Sequence, residues 1–286
     1  MRDFSHDHSM LALNTATLGH NLEGHGAGWS PEQVIEACAE RGLGGITFWR
    51  REIGRRAIEI GDRVRGAGMH VAGLCRTPFL TGPLAPPNRQ AIIDDFKASI
   101  EMAHDLGAPV LTIVTGGVIE GSHSITESLS RVQELVAAMA PVAADANVVL
   151  ALEPLNPVYG GKRSCLVTVR DAVDMCQAIG ADNVQIAIDV YHVWWDTSLA
   201  AELKRAGKGR IAGYHLCDWL ADTTDVLLDR GMMGDGVADL RQIRAAVEAT
   251  GYDGYCEVEI FSAANWWKRP PGQVLDTIVE RFREVC

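Results

Sequence analysis

Eight short apolar runs recur along the chain, and each is followed by a longer stretch in which apolar positions return every three to four residues. The runs are LALNTAT (11–17), GGITFW (44–49), HVAGLC (70–75), PVLTIVT (109–115), NVVLALE (147–153), VQIAID (184–189), RIAGYH (210–215) and GYCEVEIF (254–261). Several are apolar at both odd and even positions, as strands of a parallel sheet covered on both faces must be. The stretches between them carry helix-boundary chemistry. In SPEQVIEACAERG, Ser30 is placed to cap the helix, Pro31 to occupy its first position, Gln33 to complete a capping box and Gly42 to end it. Thr168, Asp171 and Gly180 repeat the scheme, as do Asp239, Gln242 and Gly251. RGLGGI, LGAPVL and TGYDGYCEVEI return each helix to the next strand.

Eight strand–helix units predict an α/β fold of the (β/α)8 TIM-barrel type, whose usual length is about 250 residues. An open doubly wound sheet shows the same alternation, but the placement of polar residues described below favours the barrel. No linker or low-complexity segment interrupts the pattern, so residues 1–286 are expected to form a single domain.

Composition narrows the function classes. A hydrophobic share of 47% with 22% charged residues is that of a globular protein. The net charge of −11 argues against nucleic acid, because phosphate binding relies on Lys and Arg. It suits a neutral substrate, or carboxylates gathered around a cation. The seven cysteines (38, 75, 165, 176, 217, 256 and 286) are odd in number and form no C-x-x-C pair, which reads as reduced thiols in the cytoplasm. MRDFSHDHSM has no apolar core of a signal peptide, and no run approaches the ~18 apolar residues of a membrane span. A cytoplasmic protein with neither a membrane nor a nucleic-acid partner is expected.

In a barrel, catalytic groups come from the C-terminal ends of the strands. The fifth run ends in ALEP with Glu153, and the sixth in AIDVYH with Asp189 and His192. The seventh ends in GYHLCD with His215 and Asp218, and the eighth in EVEIF with Glu257 and Glu259. The first four end instead on Asn14, Trp49–Arg50, Cys75–Arg76 and Thr115. A single carboxylate at a strand end is commonly a helix cap or a solvated loop residue, and a single histidine a satisfied core group. Four consecutive strands ending this way are harder to ascribe to coincidence. Without a cation such carboxylates would repel and stay partly protonated. With one they become ligands, and three carboxylates with one imidazole suit Mn2+ or Mg2+, with Co2+ and Zn2+ as further candidates. Glu257 and Glu259 share a face. Glu259, nearer the strand end, is the expected ligand, while Glu257 is expected a layer deeper or paired with an interior basic group.

The motifs LEPLNP, IDVYH, HLCDW, RGMMGDG and VEIF, spread over nearly the whole chain, resemble the xylose-isomerase-like barrels of the sugar phosphate isomerase/epimerase superfamily. That group includes ketose 3-epimerases, inosose isomerases and dehydratases, hydroxypyruvate isomerases and the endonuclease IV branch. The resemblance implies that Glu153, Asp189, His215 and Glu259 hold one divalent cation and that His192 and Arg230 bind substrate oxygens. It also implies that Glu153 and Glu259 act as the acid/base pair on a ketose or keto-cyclitol. A proton taken alpha to the carbonyl and returned to the other face gives an epimer; returned to the adjacent carbon, it gives an isomer. A lyase on the same platform, dehydrating an inosose or eliminating from a 3-keto sugar or glycoside, needs the same groups and stays as the alternative. A sugar-binding barrel without chemistry would have no need of the intact set. The resemblance further suggests a homodimer or homotetramer. The endonuclease branch needs extra histidines on strands two and three and an Asp-Arg-His before its last glycines. Here the third strand ends GLCR and the late motif is Asp229–Arg230–Gly231, so DNA repair is not expected.

Other signals are weaker. Trp194 and Trp195 either shape the pocket wall or pack against a neighbouring element, and Trp266 and Trp267 pose the same choice. Arg50 and Arg76 either meet a substrate carboxylate or phosphate or are ordinary surface arginines. VTGGVIEG lacks both G-x-G-x-x-G and the P-loop lysine. Cys75 and Cys217, without a dedicated histidine, read as packing residues.

Overall fold

The structure, a computed structural model, describes residues 2–286. Its strands are β1 (Leu11–Asn14), β2 (Gly45–Trp49), β3 (His70–Cys75), β4 (Val110–Ile113), β5 (Val149–Leu152), β6 (Val184–Asp189), β7 (Ile211–Leu216) and β8 (Cys256–Val258). They pair in parallel in sequence order and close, with Leu11, Ala12 and Leu13 of β1 opposite Cys256, Glu257 and Val258 of β8. That closure rules out the open sheet and makes the fold a (β/α)8 TIM barrel. Outer helices follow the strands at Pro31–Glu40, Ala57–Gly66, Arg89–Leu106, Ile125–Asp145, Val169–Ile179, Leu199–Ala206, Leu240–Glu248 and Pro271–Val285.

The caps form where the sequence placed them. Ser30 Oγ accepts from the Gln33 amide at 3.4 Å, and Gln33 Oε1 accepts from the Ser30 amide at 2.9 Å. Thr168 and Asp239 cap the helices that follow them, and Gly180 closes its helix at φ +72°. Residues on the outward parity of the strands, such as Ile46, Phe48, Leu74, Ile113, Ile186, Ile188 and Leu216, are fully buried beneath the helices.

Several strands, β1 and β8 among them, are shorter than their apolar runs. β1 ends at Asn14 because its side chain accepts from the Ala16 amide and opens a 3-10 turn, Thr15–Leu18. Past β8, Thr17 Oγ1 donates to Val258 O at 2.8 Å and accepts from the Ile260 amide at 3.0 Å. A side chain thus takes over from the ladder, and the rim stays ordered without strand geometry.

The inward parity is unusually small: Ala12, Thr47, Gly73, Thr112, Ala151, Ala187 and Gly213. A Cβ on Gly213 would stand 3.2 Å from His215 Nε2, and one on Gly73 3.3 Å from Thr47 Oγ1. These residues leave room inside the barrel for polar side chains near its C-terminal mouth.

Candidate metal centre

Adjacent strands bring the polar groups to one level. Asp189, the last residue of β6, stands opposite His215 of β7, which stands opposite Glu257 of β8. Glu153 and Glu259 lie just past β5 and β8, each tied by its amide to the neighbouring strand, at Ile113 O and Leu216 O, both 3.0 Å. One ligand atom from each of Glu153, Asp189, His215 and Glu259 falls within 4.8 Å of the others, and all four residues are buried. His215 turns Nδ1 into this group, 3.1 Å from Glu153 Oε1 and 3.9 Å from Glu259 Oε2. Its Nε2 faces the other way, 3.9 Å from Glu257 Oε1.

Glu257 sits one layer deeper, where it accepts from Asn14 Nδ2 and Thr47 Oγ1, both at 2.7 Å. With a cation on Nδ1, the Glu257 carboxylate would keep the remaining proton on Nε2. Three carboxylates and one imidazole nitrogen, oxygen-rich and convergent, fit a divalent cation.

The electrostatics agree with that fit. Burial, with the nearby Glu153 charge, pushes the Glu259 carboxyl up to about 8 although Arg230 opposes it. Burial alone would also raise Asp189, but Arg230, then His192 and His215, bring it down to about 2. His215 is held well above its ordinary range: burial opposes its charge, and Glu257, Glu153 and Glu259 outweigh that. Arg230 Nη1 bridges Asp189 Oδ2 at 2.9 Å and Glu259 Oε2 at 3.3 Å. Its guanidinium lies between the rings of Tyr191 and Phe261, 4.4 and 4.3 Å from their centroids. Asn14 Nδ2 holds Glu259 Oε1 at 3.0 Å, and Asn14 Oδ1 accepts from Trp49 Nε1 at 2.8 Å. Both oxygens of Glu259 are therefore oriented.

A cleft of about 450 Å³, its open mouth included, reaches this cluster. His192 and Arg230 both line it. His192 stands on the one-turn helix Val190–Val193, with Nε2 3.6 Å from Asp189 Oδ2 and a buried Nδ1 that has no hydrogen-bond partner among the described residues. Burial lowers its imidazole to about 4 despite Asp189, so it is neutral.

Trp49, Tyr159, Arg163 and Phe261 also line the cleft. Tyr159 and Arg163 carried no signal in the sequence, since a tyrosine and an arginine in a glycine-rich loop look like solvated residues. Trp194 packs on Trp219 with centroids 5.6 Å apart, and Trp195 donates to His192 O; neither lines the cleft. Trp266 and Trp267 likewise bond to Asp235 and to Ala16 and Ile260. Arg50 is ion-paired with Asp95, whereas Arg76 faces the cleft. Burial pushes the Cys75 and Cys217 thiols well above their ordinary value, with nearby carboxylates adding to it, so neither is a thiolate nucleophile.

Like Glu257, Asp218 stays outside the cluster. Its two oxygens accept from the amides of Trp219, Gly234, Gly236 and Ala238 at 2.9–3.0 Å. It organises the loop that carries Arg230. Asp218→Ala leaves these amides unsatisfied and should lower stability by roughly 2–4 kcal/mol, seen as an earlier thermal melt. The affinity for a divalent cation, titrated below the melt, should change much less; an equal loss of both would mean that Asp218 is part of the centre.

The sequence profile of the xylose isomerase-like TIM barrel family matches residues 35–285. The inosose isomerase of Bacillus velezensis is 28% identical over 176 residues, 59% of this chain and 60% of that protein. The alignment thus spans only about 60% of the length of that curated relative. Among solved structures, protein SMc04130 from Sinorhizobium meliloti 1021 is similar with 43% identity and a TM-score of 0.89, covering 97% of this chain and 98% of that one. The IolI protein with a bound zinc atom is similar in fold, with 20% identity and a TM-score of 0.77 over 96% of this chain and 97% of that one.

Proposed function

Since the chain belongs to the xylose isomerase-like TIM barrel family, we propose that it is a divalent-metal-dependent isomerase or epimerase of a ketose or keto-cyclitol. The observation that carries this reading is the convergence of one atom from each of Glu153, Asp189, His215 and Glu259 within 4.8 Å at the base of a cleft. The inosose isomerase relative supports the substrate class, and the zinc in the IolI protein supports the cation. Glu153, Asp189, His215 through Nδ1, and Glu259 would hold the ion. When bound, it supplies Lewis-acid polarisation of a carbonyl and offsets the negative charge that develops there.

The residues of the chain do the rest. Glu153 and Glu259 follow β5 and β8, three strands apart around the barrel mouth, so a substrate carbon between them would have a carboxylate on each side. One removes the proton alpha to the carbonyl, and the other delivers a proton to the opposite face or to the adjacent carbon. Asn14 and Arg230 fix the Glu259 oxygens for this transfer. Neutral His192, with Nδ1 unpaired, offers a hydrogen bond to a substrate hydroxyl, and Arg230 lines the same wall. Leu155, Leu227 and Phe261 reduce the access of water.

The test is proton NMR in D2O with ketoses, inososes and 3-keto glucosides, using protein loaded with Mn2+ and protein stripped of it, the ion being chelated before spectra are taken. Metal-dependent deuterium uptake beside a carbonyl, with the carbon skeleton intact, is the expected result. New olefinic signals would assign the protein to elimination instead, and no exchange with any member of the panel would count against the substrate class.

A further inference from the structure

We propose that the outer part of the cleft is an anion subsite in which Arg76 and Arg163 together receive a carboxylate or phosphate group carried by the substrate. The inference deepens the isomerase reading and rests on it for the rest of the substrate.

Arg76 follows β3 and Arg163 lies in the loop after β5, yet both line the cleft that holds Glu153, His192 and Glu259. They share one aromatic platform: the guanidinium carbons stand 3.7 and 5.7 Å from the Phe79 ring centroid. Neither is ion-paired with a carboxylate among the described residues, and Arg76 makes one side-chain hydrogen bond, from Nη1 to Thr77 O at 2.9 Å. Arg50, Arg205, Arg230 and Arg244 are all ion-paired. In a chain with 37 acidic residues, two half-buried arginines lining one cleft without such a partner are conspicuous.

The arrangement is costly as it stands. Burial, then Arg163 and Arg50, lower Arg76 to about 10, and burial together with Arg230 lowers Arg163. Both stay protonated at neutral pH, so two like charges face one space. The hydroxyls of a neutral sugar hydrogen-bond to guanidinium without offsetting its charge. Anionic oxygens do both, and the planar fork of arginine matches carboxylate and phosphate alike. Beyond Arg76 the cleft continues into an open groove of about 990 Å³ bounded by Arg51, Phe79 and Pro86, which leaves room for a charged substituent.

The test is calorimetric titration of the full Mn2+-loaded chain with D-fructose, D-fructose 6-phosphate, D-fructuronate and inorganic phosphate. The wild type is compared with the Arg76→Gln/Arg163→Gln double variant and with Arg76→Lys, and Mn2+ affinity is measured in each. Wild-type protein should bind at least one anionic sugar roughly tenfold or more tightly than D-fructose. Phosphate should compete with it, the double variant should lose the advantage at unchanged Mn2+ affinity, and Arg76→Lys should keep part of it. A preference for the 6-phosphate assigns a phosphoryl ester, and one for the uronate a carboxylate. Equal binding of neutral and anionic sugars, a preference that survives the double substitution, or no binding of any anion overturns the proposal. If deuterium exchange fails with every ketose while the anion preference holds, the isomerase reading falls and the subsite stands.

Discussion

Glu259→Gln should fold normally, bind its cation more weakly and lose turnover by roughly 10²–10⁴-fold. Both oxygens of this carboxylate are held, Oε1 by Asn14 and Oε2 by Arg230. Gln keeps the shape and one of these two acceptor contacts while removing both the negative charge and the ability to exchange a proton. Folding should survive, because burial and the neighbouring carboxylates already press Glu259 toward its neutral form, with its carboxyl pushed up to about 8. The cation-free variant should therefore melt no earlier than the wild type above pH 7. Solvent deuterium exchange at saturating Mn2+ separates the two losses: weaker binding is recovered by more metal, and the missing proton acceptor is not. Exchange at the wild-type rate under saturation would remove Glu259 from the acid/base pair.

Saturation with Mn2+ should raise the melting temperature by roughly 10 °C or more, and it should change the pH dependence of stability. Binding to the folded state at about a thousand times Kd stabilises by roughly 4 kcal/mol, and each kcal/mol moves a chain of this size by about 2–4 °C. In cation-free protein, Glu259 titrates near 8 when folded against an ordinary 4.5. The folded state therefore binds more protons across that interval, and stability falls as pH rises through it. His215, held above its ordinary 6.5, acts in the same direction. His192, lowered to about 4 from 6.5, acts in the opposite direction, but only below 6.5. The uncompensated decline lies between about pH 6.5 and 8. The cation requires Glu259 ionised and His215 neutral, so its affinity rises with pH over the same window and the decline should flatten or reverse. Thermal melts at pH 6.5, 7.25 and 8, with EDTA and with Mn2+, check both parts. A melt unchanged by the ion at every pH would count against the metal centre.

What the sequence alone determined was the periodic part of this protein. Period-two and period-3.6 patterns, with Ser30, Pro31, Gln33 and Gly180 as punctuation, specify strands and helices through local sterics and backbone hydrogen bonding, so eight βα units were legible. The polar rim of the second half was legible too, because a carboxylate or imidazole ending a buried apolar run stands out against its neighbours, and Glu153, Asp189, His215 and Glu259 converge. The tertiary structure decided which polar groups share a space. Barrel closure put Asn14 of the first strand against Glu257 and Glu259 after a gap of more than 240 residues, a contact no local pattern encodes. Closure also sorted the rim carboxylates, turning Asp218 onto four backbone amides and Glu257 one layer below Glu259. Arg163 and Tyr159 could not be read in advance, because a loop residue gains its environment only when other strands fold beside it. Arg76, read as either surface or site, was resolved only by what surrounds it. Sequence period reports how each residue meets its own backbone, whereas burial and charge pairing are set by neighbours distant along the chain.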